Sequence, residues 1–539
     1  MVLVKDFFTN RSFNFWVFFS LIITLILSFP ILSLLINVIL NYKSEWNFIL
    51  NIEIWDYLFN SFNIIFFQSI FVIFFGVTSA WIVTNYRFPL RKLIDICLLL
   101  PLSIPPYIAA IAYGEILDYS GVLQTFLREN FFIFNNDLFN IRSLPGVIFI
   151  FSITLYPYVY IISRAAFSEI SYSYNEIGKT LGLKQLKIFF KVSLPLTIFP
   201  IIGGVILSIL ESLNDFGTVQ YYGVNTFTTG IYKTWVGLGD IHLASQISIF
   251  FLIFIFLILF FQKRFFSNEK INIKSSYRNE NNLLSLSKFK NLILILFCLL
   301  PISLGFLIPF TFLIKNSFQA LEIFLMEDTI KNTFNTIFLA LSVSFLIIIL
   351  SLLVNYSVRI NKTKINLFFS KIASLGYAIP GSIIAIGVLV PFTYFDNISN
   401  LVSGSIFVLC FAYIVRFFTI SHTNIESSFH RISKNLDDTA SVLGKSSIKI
   451  LFNIHIPMMS LSIMLSLILI FIEIIKELSA TLILRPFNFD TLAIQTYEYA
   501  SEERIIESTI PALIIVVLCI IGIIFISRIN NHLFKSGKR

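Results

Sequence analysis

The sequence predicts an all-α polytopic membrane protein of about twelve transmembrane helices, arranged as two parallel six-helix repeats. Three observations predict it. The 539 residues are 57% hydrophobic and only 13% charged, with mean hydropathy +0.85, and ordinary soluble domains carry about a quarter charged residues. Twelve apolar runs are about 18 residues or longer, the length that crosses a bilayer core. The last six repeat landmarks of the first six at a nearly constant spacing. A soluble chain of this length would divide into several domains with polar exteriors, and the charges to build those exteriors are missing. The same shortage argues against disorder, a secreted soluble domain or a nucleic-acid partner.

The elements follow in order. The first apolar run, about 15–40, is far longer than the ~7–15-residue core of a cleavable signal, so it reads as span one. Spans two to six are expected near 62–84, 94–114, 146–167, 196–215 and 243–262. Spans seven to twelve are expected near 291–314, 334–354, 367–391, 402–421, 458–477 and 508–528. The chain then divides into a first half (1–262), a basic, Ser/Asn-rich linker (263–290) and a second half (291–539).

Net charge is +9, and its placement sets sidedness. With both termini in the cytoplasm, the inward-facing segments hold 30 of the 39 lysines and arginines, which is the positive-inside pattern. The outward loops hold acids such as Glu45, Glu53, Asp56, Glu327, Asp328, Glu502 and Glu503. The four cysteines, Cys97, Cys298, Cys410 and Cys519, lie singly in apolar runs and read as small buried hydrophobes rather than metal ligands or a disulfide.

Asn60-Ser61-Phe62-Asn63 recurs as Asn332-Thr333-Phe334-Asn335, and Asn85-Tyr86 as Asn355-Tyr356. Leu181-Gly182 recurs as Leu443-Gly444, Pro195 as Pro457, Glu211 as Glu473 and Thr229 as Thr491, these last four all 262 residues apart. Both halves run in the same direction, so the repeat is a parallel one about an axis along the membrane normal.

Each half has one long inward segment, 168–195 and 424–457. Its pattern is a short amphipathic helix, a glycine turn, a second short helix and a proline opening the next span. Glu176 and Asp438 fall in an early helical turn, where an acid suits the dipole. Gly182 and Gly444 fall where a helix stop needs a left-handed residue, and Pro195 and Pro457 suit a first helical position. Gly178-Lys179-Thr180 and Gly444-Lys445-Ser446 look like the end of a phosphate-binding loop, but the earlier glycine that such a loop needs is absent.

These segments resemble the EAA loop of the integral-membrane subunits of ATP-binding-cassette importers. The matching positions are Glu176-Ile177-Gly178, Leu181-Gly182 and Pro195, and again Asp438-Thr439-Ala440, Leu443-Gly444 and Pro457, although neither triplet is literally Glu-Ala-Ala. The resemblance implies the type I importer permease fold. It also implies that these residues form coupling helices docked in grooves of two copies of an ATPase subunit. The helices could instead lie on lipid headgroups, with Lys179, Lys184, Lys187 and Lys191 as a basic face. No cofactor is implied, and the chain is not itself an enzyme: ATP hydrolysis belongs to the partner. A periplasmic binding protein would deliver the substrate through a bacterial cytoplasmic membrane.

Glu211 and Asp215 are four residues apart near the outer end of span five, on one helix face. Glu473 and Glu477 stand at the equivalent places in span eleven. Acids at membrane depth cost ~2.5–3.5 kcal/mol even on insertion scales and normally face a cavity or a partner. Four carboxylates lining one translocation path would favour a cation and could touch a hard metal ion in transit. Equally, Lys476 is placed to neutralise Glu473 and leave the acids structural. The run from Glu211 through Asp215-Phe216-Gly217-Thr218 to Gly223-Val224-Asn225-Thr226-Phe227-Thr228-Thr229-Gly230-Ile231-Tyr232 resembles the fused, two-half ferric-iron branch of these permeases, whereas 489–494 keeps only the Phe and Thr. Related permeases for thiamine, polyamines or phosphonates share the architecture.

Pro105 and Pro106 in span three and Pro380-Gly381 in span nine interrupt matching spans. Such interruptions mark a path or gate, and simple packing kinks would give the same pattern. An ion-gradient-driven transporter with two six-span halves would explain the span count and the acids, but not the matched glycine and proline loops. A channel or structural membrane protein would need no docking helix.

Overall fold

In hydrocarbon a backbone must satisfy its own hydrogen bonds, so an apolar chain crosses as helices. The computed structural model describes residues 15–41, 54–131, 140–169, 178, 180, 182–266, 283–321, 327–394 and 404–536. Within them the chain is helical apart from loops and one two-residue parallel ladder, which pairs Tyr86 with Leu284 and Arg87 with Ser285. Ten helices are long and apolar enough to cross a membrane, from Trp16–Leu40 to Ile505–Ile529. Two further pairs, Arg91–Ser103 with Pro106–Ile116 and Lys364–Ala378 with Gly381–Phe392, are bent by 89° and 111° and bring the total to twelve if each is one span. The bent pairs are spans three and nine, the two that carry the matched prolines.

The breaks share one construction. A 3-10 turn is followed by an extended isoleucine, Ile104 (φ −100°, ψ 110°) or Ile379 (φ −95°, ψ 106°), and then by Pro105 or Pro380 as the cap of the second piece. Proline pushes the preceding residue out of the helical region and supplies no N–H to continue the ladder.

Pro195 and Pro457 behave differently from the expectation that they open spans five and eleven. Those spans begin earlier, as the continuous helices Gln185–Asn214 and Ser447–Lys476. A π-helical turn, Phe189–Ser193 or Leu451–His455, precedes each proline, with Leu194 N–H bonded to Phe189 O and Ile456 N–H to Leu451 O. The i→i−5 pattern absorbs the missing proline donor without ending the helix.

The repeat also has a cleaner register than the short motif matches suggest. Span two ends at Asn85 and its counterpart at Ile360. Asn60 donates to Asn225 O (2.9 Å) and Asn335 to Asp490 O (3.1 Å). These pairs, like Pro105 and Pro380, are 275 residues apart, so Asn60 matches Asn335 rather than Asn332. Thr226 and Thr491 are both helix N-caps, so Thr491 corresponds to Thr226, not Thr229. The Asn/Thr-rich motifs slid by about one helical turn, which keeps the same face.

The halves interlock through their first spans. Phe15–Leu40 packs on Glu327–Ile360, Lys364–Ala373 and Gly381–Leu389 of the second half. Ser20 Oγ donates to Asn366 Oδ1 at 3.0 Å, and Ser33 Oγ donates to the Gly387 carbonyl. The helices are close enough there that a Cβ on Gly387 would sit 2.3 Å from Pro30 O. Small residues at such crossings let dispersion hold helices together where lipid offers no hydrophobic drive. Span seven answers in kind by packing on spans two, three and four, with the Tyr113 hydroxyl bonded to Leu304 O at 2.7 Å. One buried apolar cluster runs through both halves. Exposed side chains such as Phe59, Phe66, Phe260, Phe338 and Phe345 cover the outside, as a lipid-facing surface requires.

Candidate functional site

The four acids picked out from the sequence come together. Glu211, Asp215, Glu473 and Glu477 line one cavity between the halves, with Pro105, Pro106, Tyr107, Tyr158, Asn214, Arg416 and Lys476. The cavity volume is about 60 Å³.

The acids are held in two ways. In the second half each has a cation. Arg416 Nη1 lies 2.6 Å from Glu477 Oε1, and both residues are buried. The same carboxylate oxygen accepts from Ser479 Oγ (2.9 Å) and from Ala480 N–H (3.0 Å), capping the short helix Ser479–Leu484. Lys476 Nζ lies 3.0 Å from Glu473 Oε1. In the first half the partners are neutral. Asp215 accepts Thr218 N–H at 2.7 Å, capping Gly217–Tyr221 as Glu477 caps its counterpart, and Glu211 accepts from the Tyr377 hydroxyl. The position matching Arg416 in the first half is Thr154, which also lines the cavity. The cavity therefore has four carboxylates against two cations.

The break in span nine serves this site. Tyr377 and Gly381 reach across to the first half, where the Gly381 N–H donates to Asn214 Oδ1 at 2.8 Å. A Cβ on Gly381 would lie 2.3 Å from Arg416 Nη1 and 2.7 Å from Glu477 Oε1, so only glycine fits beside the buried ion pair. Pro106 stands at the equivalent place in span three and has no N–H to offer Lys476. At the cavity, the cross-half hydrogen bonds among the described residues thus come from span nine. Among the described residues, no three His, Cys, Asp or Glu side chains converge as a metal cage.

The loop helices form the second site. Glu176 and Leu181 lie outside the described residues. Gly178 is buried, with Ile188 packed where a Cβ would point. Gly182 (φ +71°) and Gly444 (φ +74°) are left-handed. Leu183 N–H bonds to Gly178 O and Lys445 N–H to Ala440 O, each at 3.0 Å, the six-to-one closure of a helix stop.

The helix Lys434–Val442 turns Ala440 inward and leaves Asp438 exposed; Leu443 (74%) and Val442 (87%) are largely exposed. The first-turn acid is Asp437, not Asp438. Asp437 anchors the helix to the bundle: Arg359 Nε lies 2.6 Å from Oδ2, and His455 Nε2 lies 3.0 Å from Oδ1. Arg359 also donates to the carbonyls of Phe429 and Ile432. The inward segment expected from 424 onward starts inside a helix, since span ten runs Ile406–Arg431.

Arg416, Tyr107, Tyr377, Arg359, Asp437 and His455 went unnoticed in the sequence. Arg416 had a usable signal, a charge within an apolar run, since it falls inside the span expected at 402–421.

Ten to twelve apolar spans in two interlocked halves, a charged cavity between them and a glycine-stopped loop helix define a polytopic permease. The chain belongs to the family of binding-protein-dependent transport system inner membrane components, whose pattern matches twice, over residues 72–269 and 359–536. It is similar to the Fe(3+)-transport system permease protein FbpB 2 of Haemophilus influenzae, 22% identical over 84% of this chain and 86% of the relative. It is also similar to the sulfate transport system permease protein CysT of Salmonella typhimurium, 32% identical over 30% of this chain and 56% of the relative. The molybdenum transport system permease protein ModB of Escherichia coli is 30% identical over 26% of this chain and 60% of that protein.

Proposed function

We propose that this chain is the fused permease of an ATP-driven importer and that its cargo is ferric iron, handed over by a periplasmic binding protein. The observation that carries the cargo is the excess of carboxylates in the cavity, four acids against two cations. Such a lining attracts a hard cation and repels sulfate or molybdate. The similarity to an iron permease along both halves supports it, as does the 223–232 run, whose Thr226 and Thr229 form a reciprocal capping box.

Two ATPase subunits, one at each loop helix, would supply the work, with both termini and the 263–290 linker on their side of the membrane. The exposed Leu443 and Val442 and the glycine stops at 182 and 444 form the docking surface on this reading, together with Glu176, Leu181 and Asp438. ATPase closure draws the loop helices together. The continuous helices Gln185–Asn214 and Ser447–Lys476 pass that motion to the four acids at their far ends, and the halves rock about the cavity. Opening the path breaks the Tyr377–Glu211 and Gly381–Asn214 bonds, which tie the halves together.

The test is uptake into proteoliposomes holding the permease and its ATPase, with binding protein supplied outside. Labelled Fe(III) should accumulate only with ATP, and Gly182→Pro with Gly444→Pro should abolish it. Accumulation of sulfate, molybdate or thiamine instead of iron would overturn the cargo, and uptake without ATP would overturn the importer.

A further inference from the structure

The cavity's two walls differ in a way that the excess of acids does not express. Glu473 and Glu477 are already matched by Lys476 and Arg416 at 3.0 and 2.6 Å. Glu211 and Asp215, on the first-half wall, have no ion-pair partner among the described residues: Glu211 accepts from a phenol and Asp215 from backbone N–H groups. Tyr107 also lines the cavity, is 2% exposed, and has a hydroxyl with no hydrogen-bond partner. A buried hydroxyl left unpaired is uncommon and asks for a reason, a ligand or an ion among them.

We propose that the cargo is held in transit on the first-half wall, by the carboxylates of Asp215 and Glu211 and the phenol oxygen of Tyr107. The second-half acids, Glu473 and Glu477, are structural. This rests on the reading of the chain as an importer of a hard cation. Carboxylate and phenol oxygens are hard donors of the kind such a cation takes. Two carboxylates that form no direct ion pair inside a membrane protein supply charge that an incoming cation would satisfy. Glu477 by contrast carries Arg416, Ser479 and Ala480 on a single oxygen, and a cation beside it would compete with a guanidinium.

Tyr107→Phe is the decisive variant, because it removes a hydroxyl that bonds to nothing in the protein and so leaves the packing intact. In proteoliposomes with ATPase and binding protein, Tyr107→Phe should keep its melting temperature. Its Fe(III) uptake should fall about tenfold, the scale of losing one contact at a metal. Asp215→Asn should lose uptake in the same way. Wild-type complex loaded with Fe(III) and arrested with vanadate should show a visible phenolate-to-iron charge-transfer band that Tyr107→Phe weakens. Unchanged uptake in both variants, with no band in the wild type, would overturn the site while leaving the importer reading standing. Wild-type vesicles that import an oxyanion and no iron would remove the cation reading, and this site with it.

Discussion

At the residue scale, the buried pair of Arg416 and Glu477 is the most exacting feature. Taking two charges out of water is costly, and the return depends on geometry and on the remaining hydrogen bonds. Here Ser479, Ala480 and the absent side chain of Gly381 complete that geometry. Arg416→Ala leaves Glu477 buried beside no cation and should destabilise the protein by ~3–5 kcal/mol. A lower melting temperature in detergent would register it. The double variant Arg416→Met, Glu477→Gln should recover most of the loss, since no charge is then stranded. Gly381→Ala should resemble Arg416→Ala in the same measurement, because its methyl group displaces the guanidinium. Arg416 and Gly381 could be read as residue types in the sequence, but their meeting could not: they belong to different spans, and Glu477 to a third. Tyr107 and Tyr377 were still less legible, two among 21 tyrosines that differ from the rest only in what surrounds their hydroxyls.

At the scale of elements, apolar run length and proline spacing carried most of the information. Bilayer thickness fixes the first, and the missing N–H makes the second local. That is why twelve spans, and the breaks in spans three and nine, could be read directly. The π turns before Pro195 and Pro457 could not, because a proline looks the same whether it begins a helix or follows a bulge in one. The loop helix Lys434–Val442 shows a similar limit. Its glycine stop was legible, but its anchor, Asp437 with Arg359 and His455, joins three distant elements. Gly444→Ala places a Cβ in the left-handed region and should cost ~1–2 kcal/mol, read as a drop in the docking affinity of the ATPase. Arg359→Gln frees Asp437 and three carbonyls at once. ATP hydrolysis should then continue while uptake per ATP falls, measured side by side in vesicles.

At the scale of the molecule, each half holds the other's first span. Phe15–Leu40 has much of its contact surface on the second half, and span seven packs on spans two to four. A half expressed alone would present those crossings, including Gly387 against Pro30, to lipid. Residues 1–275 and 276–539 produced separately should therefore be degraded or aggregate, whereas co-expression should give a complex that co-purifies and transports. Recovery of a stable, monodisperse single half would show that the interlock contributes little. The swap left no mark on the sequence, because an apolar helix reads the same whichever neighbour it touches.

The walls of the cavity are unequal: cations on one side, neutral donors on the other, and the hydrogen bonds across it made from span nine. Two identical subunits cannot make such a chamber, since a two-fold axis would copy every arginine and every unpaired acid to both sides. A pair of different subunits could make it, but would have to find each other in the membrane and avoid pairing with themselves. Joining the halves in one chain settles the matter at synthesis. Every assembled pore receives one wall of each kind, and the handedness of that chamber is written into the order of the polypeptide.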